Sequence, residues 1–156
     1  EADTLYDLSK LLGESLCLSH KNPAVRIARL SNVYGIDQSP HTFLGSILRD
    51  LKHNGKSIIG ESETSSKDYV CITDVCEILE LIALKGKERI YNVASGIPVT
   101  HKALAETIRV SGYDVTFSPQ GGARVSPKID TSLIRTEFAA APRALLDDLP
   151  LLLKNI

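Results

Sequence analysis

Leu5, Leu8, Leu12 and Leu16 recur at every third or fourth residue, which predicts an amphipathic helix from Asp3 or Thr4 to about Ser19, stopped by Asn22-Pro23. The period then shortens. Val25 and Ile27 alternate with Arg26 and Ala28, predicting a strand over residues 24–30, and residues 32–40 read as the loop that leaves it. Phe43, Leu44, Ile47, Leu48 and Leu51 return to helical spacing before a stop at Asn54-Gly55. Residues 57–59 and 68–72 read as strands, and Thr73 is a candidate cap for a helix whose apolar face is Val75, Ile78, Leu79 and Ile82. Residues 89–93 form the next predicted strand, followed by a turn at Ser95-Gly96-Ile97-Pro98. Thr100 is a second candidate cap, for a helix carrying Leu104, Ile108 and Val110 to a stop at Gly112. A strand over residues 115–117 and helices over 130–138 and 142–154 complete the pattern.

Strands that alternate with helices define an α/β chain rather than a bundle or a sandwich, and no internal repeat argues otherwise. The first helix has no strand before it, so a parallel sheet built from these residues alone is expected to be short and open along one edge.

Composition narrows the functions this chain can have. With 156 residues, 43% hydrophobic and 24% charged, it has the make-up of one globular domain with its own core. A net charge of -1 without clustering gives no field to recruit nucleic acid or an anionic membrane. Residues 149–153, an apolar run interrupted by Pro150, fall far short of the roughly 20 residues of a bilayer span. Cys17, Cys71 and Cys76 are too few for a disulfide framework, and a reducing cytoplasm fits them best. Cys71 and Cys76 lack the second cysteine pair of a structural zinc site, even with His20 or His53 counted, so no metal is expected.

Candidate chemistry begins in the first helix. Tyr6 and Lys10 are four residues apart and share a helix face, where an ammonium stabilises a phenolate and makes tyrosine useful in proton transfer. Such a pair arises often by chance. Its weight comes from four downstream segments: Arg29-Leu30-Ser31-Asn32-Val33-Tyr34-Gly35, then residues 67–75 (Lys-Asp-Tyr-Val-Cys-Ile-Thr-Asp-Val), then Tyr91-Asn92-Val93-Ala94-Ser95-Gly96, then Asp130-Thr131-Ser132. In that order and spacing, these segments and Tyr6-Asp7-Leu8-Ser9-Lys10 resemble the extended short-chain dehydrogenase/reductase family, whose members include NAD-dependent nucleotide-sugar epimerases and dehydratases.

The resemblance implies the C-terminal part of a Rossmann-type parallel sheet plus a small α/β substrate-binding lobe. It implies that Tyr6 transfers a proton while hydride passes to or from the nicotinamide, and that Lys10 lowers the tyrosine's pKa and binds the nicotinamide ribose. Ser31 would meet the nicotinamide side of NAD or NADP. Asn32 would contact the diphosphate of a nucleotide-sugar substrate, with Lys67 standing where the family commonly has an arginine, a replacement that keeps the charge and loses the bidentate fork. Thr42 and Arg124 are weaker candidates for the same pocket. Asp68, Tyr69, Asp74, Tyr91 and Asn92 are expected to be structural, and His41 and His101, which have no evident partner, are expected to be solvated. The helix carrying Tyr6 corresponds to one that packs into a dimer interface in the family, so a homodimer is one expected assembly.

No glycine-rich turn of the kind that seats a cofactor pyrophosphate against a helix N-terminus is present, and Gly121-Gly122 is no substitute. Together with the lack of any methionine, this makes residues 1–156 the expected C-terminal portion of a longer enzyme whose N-terminal cofactor-binding half is missing, inactive and binding NAD poorly on its own. Two other readings stay open: a non-catalytic remnant that binds a sugar nucleotide or a partner protein, and an NAD(P)-dependent reductase of a non-nucleotide carbonyl compound.

Overall fold

The computed structural model describes residues 2–156, with side chains described from Thr4 onward. Helix α1 (Ala2–Ser19) is followed by β1 (Ile27–Leu30), β2 (Asn32–Tyr34), α2 (Phe43–Asn54), β3 (Lys56–Ile59), β4 (Ser66–Cys71) and α3 (Ile72–Lys85). Then come β5 (Ile90–Val93), β6 (Pro98–Thr100), α4 (His101–Val110), β7 (Asp114–Phe117), α5 (Ser132–Phe138) and α6 (Leu145–Lys154). This is the α/β alternation the sequence predicts, and three of the four strand pairings are parallel.

Strands β1 and β5 pair in parallel with Ile27 opposite Ile90, and β1 has no second neighbour among the described residues, which is the expected open edge. The β4 strand sits between β2, parallel to it with Asn32 opposite Tyr69, and β6, antiparallel to it with Ser66 opposite Thr100. A separate parallel pair joins β3 to β7. Two apolar cores result. One lies under β5 and α3, built from Val70, Val75, Ile78, Ile82, Tyr91, Val93 and Ile134. The other joins α2, α4, α6 and the β3–β7 pair, with Leu51, Leu104, Ile108, Leu145 and Leu149 almost wholly enclosed.

Several local expectations change. Residues 32–34, read as loop, form β2 because their partner is β4, nearly forty positions away; three residues carry no period of their own. The turn ending at Pro98 runs straight into β6 for the same reason. Thr73 does not cap α3. The cap position is Cys71, which makes no side-chain cap bond, while the Thr73 hydroxyl meets the Cys71 thiol at 3.2 Å and the Arg143 guanidinium. Thr100 does cap α4, accepting from Ala103 N, and Gly55 ends α2 at φ 67°, a conformation that favours glycine.

His101 departs furthest from expectation. It is buried, with 0% exposure, because positions 101, 104, 105 and 108 form one stripe of α4 facing the second core. Its ring stacks on Phe43, with centroids 4.5 Å apart.

Candidate active site

Tyr6 and Lys10 lie together on α1, and the lysine Nζ is 5.1 Å from the centre of the tyrosine ring. The helix period alone produces this, since residues four apart stand one above the other. Tyr6 is 62% exposed, so its hydroxyl is accessible. The helix is fixed at its C-terminal half: Glu14 pairs with Arg29 of β1, and the Arg89 guanidinium donates to the carbonyls of Cys17, Leu18 and His20. A cation on the last carbonyls of a helix also complements its dipole.

Ser31 follows β1 directly, at the C-terminal end of a parallel strand where α/β proteins receive ligands. Its Oγ is buried without a hydrogen-bond partner among the described residues. Asn32 begins β2, and its amide Nδ2 donates to the Asp68 carbonyl at 2.8 Å, which orients the side chain and leaves its Oδ1 unassigned. A small recess of about 60 Å³ opens beside it, walled by Asn32, Gln38, Thr42, Phe43 and Tyr69. Thr42 is the N-cap of α2: its hydroxyl accepts from Gly45 N and donates to Ser39 O, so its first duty is structural. Gly45 permits that close return, because a Cβ there would lie 2.0 Å from Ser39 O.

Lys67 sits on β4 next to this recess, its Nζ 4.5 Å from the centre of the Phe43 ring. It is not free. Glu61 accepts a hydrogen bond from it at 2.9 Å, and the other Glu61 oxygen lies 3.9 Å from His101 Nδ1. Sequence reading missed Glu61 altogether, since a loop acid carries no periodic signal, and it misplaced His101, whose spacing to Leu104 and Ile108 was the available clue. Arg124 is brought alongside β4 through its backbone, donating from N to Ser65 Oγ and accepting from Ser66 N, but its side chain is exposed. The structure therefore gathers Asn32, Thr42 and Lys67 around Phe43 and Tyr69, keeps Tyr6 and Lys10 together on α1, and leaves the Arg124 side chain outside both groups.

Four of the five residues expected to be structural make hydrogen bonds within the fold, while the Tyr69 hydroxyl has no partner among the described residues. Asp68 accepts from the Ser95 backbone N–H and hydroxyl, Tyr91 from the backbone of Lys87 and Glu88, and Asp74 from Arg143. Asn92 donates to the Asp130 carbonyl, and Asp130 in turn accepts from Ser132 N where α5 starts, which holds its carboxyl below the usual range. Burial pushes the Tyr69 phenol up, helped by Glu61, and pushes Tyr34 up together with its hydrogen bond to Asp148, so both stay neutral donors.

A larger cavity of about 630 Å³ shares Val33, Gln38 and Thr42 with the recess and extends to Leu151 and Leu152. Its ionisable groups Arg143, Asp148 and Tyr34 are engaged with one another and with Asp74, whereas the Gln38 amide is buried with neither its oxygen nor its nitrogen hydrogen-bonded among the described residues. Among the described residues no three His, Cys, Asp or Glu side chains cluster as metal ligands, and no helix is long and apolar enough to cross a membrane. All three cysteines are unpaired thiols.

The fold is thus a parallel-stranded α/β arrangement with a Tyr-Lys pair on one helix and an Asn at a strand end. The chain belongs to the NAD dependent epimerase/dehydratase family, whose profile matches residues 1–94. It is 32% identical over 108 residues to human dTDP-D-glucose 4,6-dehydratase, covering 66% of this chain and 31% of that protein. To the dTDP-4-dehydro-6-deoxyglucose reductase of Escherichia coli it is 28% identical over 147 residues, covering 89% of this chain and 43% of the other. The chain thus spans well under half the length of these relatives.

Solved structures agree in fold. The NAD dependent-NDP-hexosamine 5,6-dehydratase TunA of tunicamycin biosynthesis superposes with a TM-score of 0.80 at 20% identity, covering 96% of this chain and 52% of that one. The dTDP-glucose 4,6-dehydratase of Bacillus anthracis, solved with NAD, gives 0.77 at 20% identity, over 94% of this chain and 48% of that one.

Proposed function

We propose that residues 1–156 are the C-terminal portion of an NAD- or NADP-dependent enzyme that epimerises, dehydrates or reduces a nucleotide-diphosphate sugar. The observation that carries this reading is the Tyr6–Lys10 pair, held within 5.1 Å on an exposed helix face in a chain of this family. Tyr6, as its phenolate, takes the proton from a sugar hydroxyl as that carbon is oxidised, and Lys10 places its ammonium beside the ring and donates to the nicotinamide ribose. The dinucleotide, when bound, supplies the hydride acceptor. Ser31 fits the nicotinamide end of such a cofactor, because its buried hydroxyl lacks a partner at a strand terminus. Asn32, Lys67, Thr42 and, more distantly, Arg124 hold the substrate on the diphosphate side. The pyrophosphate of the cofactor needs a glycine-rich turn that these residues do not contain, so the chain alone is proposed to be inactive and to bind NAD weakly. Three unpaired thiols support a reducing, cytoplasmic setting.

The test is turnover of nucleoside-diphosphate sugars by the intact protein and its Tyr6→Phe variant. A loss of roughly 10²- to 10⁴-fold in kcat is expected for removal of a proton-transfer group; undiminished turnover overturns the assignment.

One observation favours a second reading. Lys67 is neutralised by Glu61, which weakens the case for an anionic substrate and suits an NAD(P)-dependent reductase of a non-nucleotide carbonyl compound. Saturable binding of dTDP or UDP separates the two.

A further inference from the structure

Glu61, Lys67, Tyr69 and His101 form a cluster of ionisable groups at the edge of the Asn32 recess, closed over by Phe43. The Lys67 side chain is only 16% exposed, and its ammonium has two neighbours, the Glu61 carboxylate at 2.9 Å and the face of Phe43. The His101 ring stacks on that same Phe43 and is wholly buried. Glu61 Oε2, His101 Nδ1, His101 Nε2 and the Tyr69 hydroxyl are all buried with no hydrogen-bond partner among the described residues. Leaving such atoms unpaired is unfavourable in a closed site, so the arrangement holds an unmade bond between Glu61 and His101, whose atoms stand 3.9 Å apart.

We infer that Glu61 is a specificity-determining residue that moves between Lys67 and His101, releasing the lysine for a diphosphate and taking protonated His101 as its new partner. This rests on the nucleotide-sugar reading above. Without ligand, Lys67 and Glu61 neutralise each other, and the recess offers little net charge. An incoming diphosphate competes with the Glu61 carboxylate for the ammonium. The displaced carboxylate needs about 1 Å of movement to reach hydrogen-bond distance from His101 Nδ1. A carboxylate bonded to a buried imidazole favours the imidazolium, so His101 takes up a proton as the diphosphate binds.

The charged groups acting on His101 are Glu61 from the loop before β4 and Lys67 from β4 itself, while α2 contributes the uncharged Phe43 ring and Tyr69 stays a neutral phenol. Burial is the largest influence on the free histidine and holds it below its ordinary 6.5, with Lys67 acting in the same direction and Glu61 and the Ser62 backbone opposing. His101 is therefore neutral at pH 7 before ligand arrives. Moving Lys67 onto a diphosphate and Glu61 onto His101 reverses the balance, and affinity rises as pH falls because protons are bound on complex formation.

The experiment is calorimetric titration of dTDP and UDP into the intact protein at pH 7, in two buffers of different ionisation enthalpy, with Glu61→Gln and Lys67→Ala beside the unmodified protein. Net uptake approaching about one proton per nucleotide is expected for the unmodified protein and none for Glu61→Gln, with binding to that variant tighter by roughly 1.5- to 5-fold, the range of a partly exposed ion pair removed from competition. Because proton uptake is read on the unmodified protein, a folding defect in a variant does not decide the result. Binding that depends on Lys67 with no proton uptake, and unchanged in Glu61→Gln, overturns the exchange and leaves the diphosphate site standing. Absence of saturable binding in every form overturns the nucleotide reading, and the exchange with it.

Discussion

Tyr91 is fully buried on β5, yet its hydroxyl is the meeting point of groups from two elements. It accepts from the backbone N–H of Lys87 and Glu88 at 2.8 and 2.9 Å and donates to Glu137 at 2.9 Å, tying the turn before β5 to α5. Phenylalanine fits the same space and removes only the oxygen. Lys87 N keeps Glu137 as a second acceptor, whereas Glu88 N is left without one. Tyr91→Phe is therefore expected to destabilise the fold by about 1–3 kcal/mol, the cost of a part-buried amide bond and a charge-assisted bond to Glu137 lost together. Urea denaturation monitored by circular dichroism checks this, with a lower midpoint at an unchanged m-value. An unchanged midpoint would show that water satisfies the Glu88 amide. At this scale the sequence says what a residue can do and not whom it meets. Lys67 was readable as a cation near a strand start, but its partner Glu61 comes from an aperiodic loop, and the pairing changes the meaning of the charge.

Elements are written into the chain where their ends carry their own chemistry. Thr100 closes α4 by accepting from Ala103 N at 3.1 Å, with its backbone extended at φ -73° and ψ 148°. Thr100→Ala keeps the β6 backbone and removes one cap bond, so a loss of about 1 kcal/mol is expected in chemical denaturation. The α4 stripe of Leu104, Ala105 and Ile108 should stay packed, leaving the α/β signature in circular dichroism unchanged; a change in that signature would mean the cap holds the fold rather than one helix end. The α4 helix was legible because cap, stripe and stop agree, and α2 because stripe and stop do, although its cap, Thr42, was read only as a candidate for the substrate pocket. Short strands were not. The β2 strand exists only because Asn32, Val33 and Tyr34 pair with Tyr69, Val70 and Cys71, and β6 only because β4 offers its other edge. Thr73 illustrates the same limit, since a threonine at a helix start looks like a cap until Arg143, seventy residues away, claims its hydroxyl.

Across the whole molecule, α1 is the element that the two cores do not explain. Leu5, Leu8, Leu12 and Leu16 are between 55% and 70% exposed, an apolar stripe with no cover among the described residues. At 3.6 residues per turn this stripe points roughly 100° or more away from the Tyr6–Lys10 face. Whatever covers the leucines therefore leaves the proposed catalytic pair open, which a second copy of the same helix does by symmetry, each stripe packing on the other. Burying one such leucine contributes about 1.5–3 kcal/mol, so removing two opposes association strongly. The intact protein is expected to sediment as a dimer at micromolar concentration, and the Leu8→Lys, Leu12→Lys double variant as a monomer with Tyr6 and Lys10 still in place. An intact protein that is already monomeric, with the double variant sedimenting identically and melting lower, would mean instead that the stripe is covered within a single polypeptide and that the pair of exposed faces on α1 serves one active site without a partner.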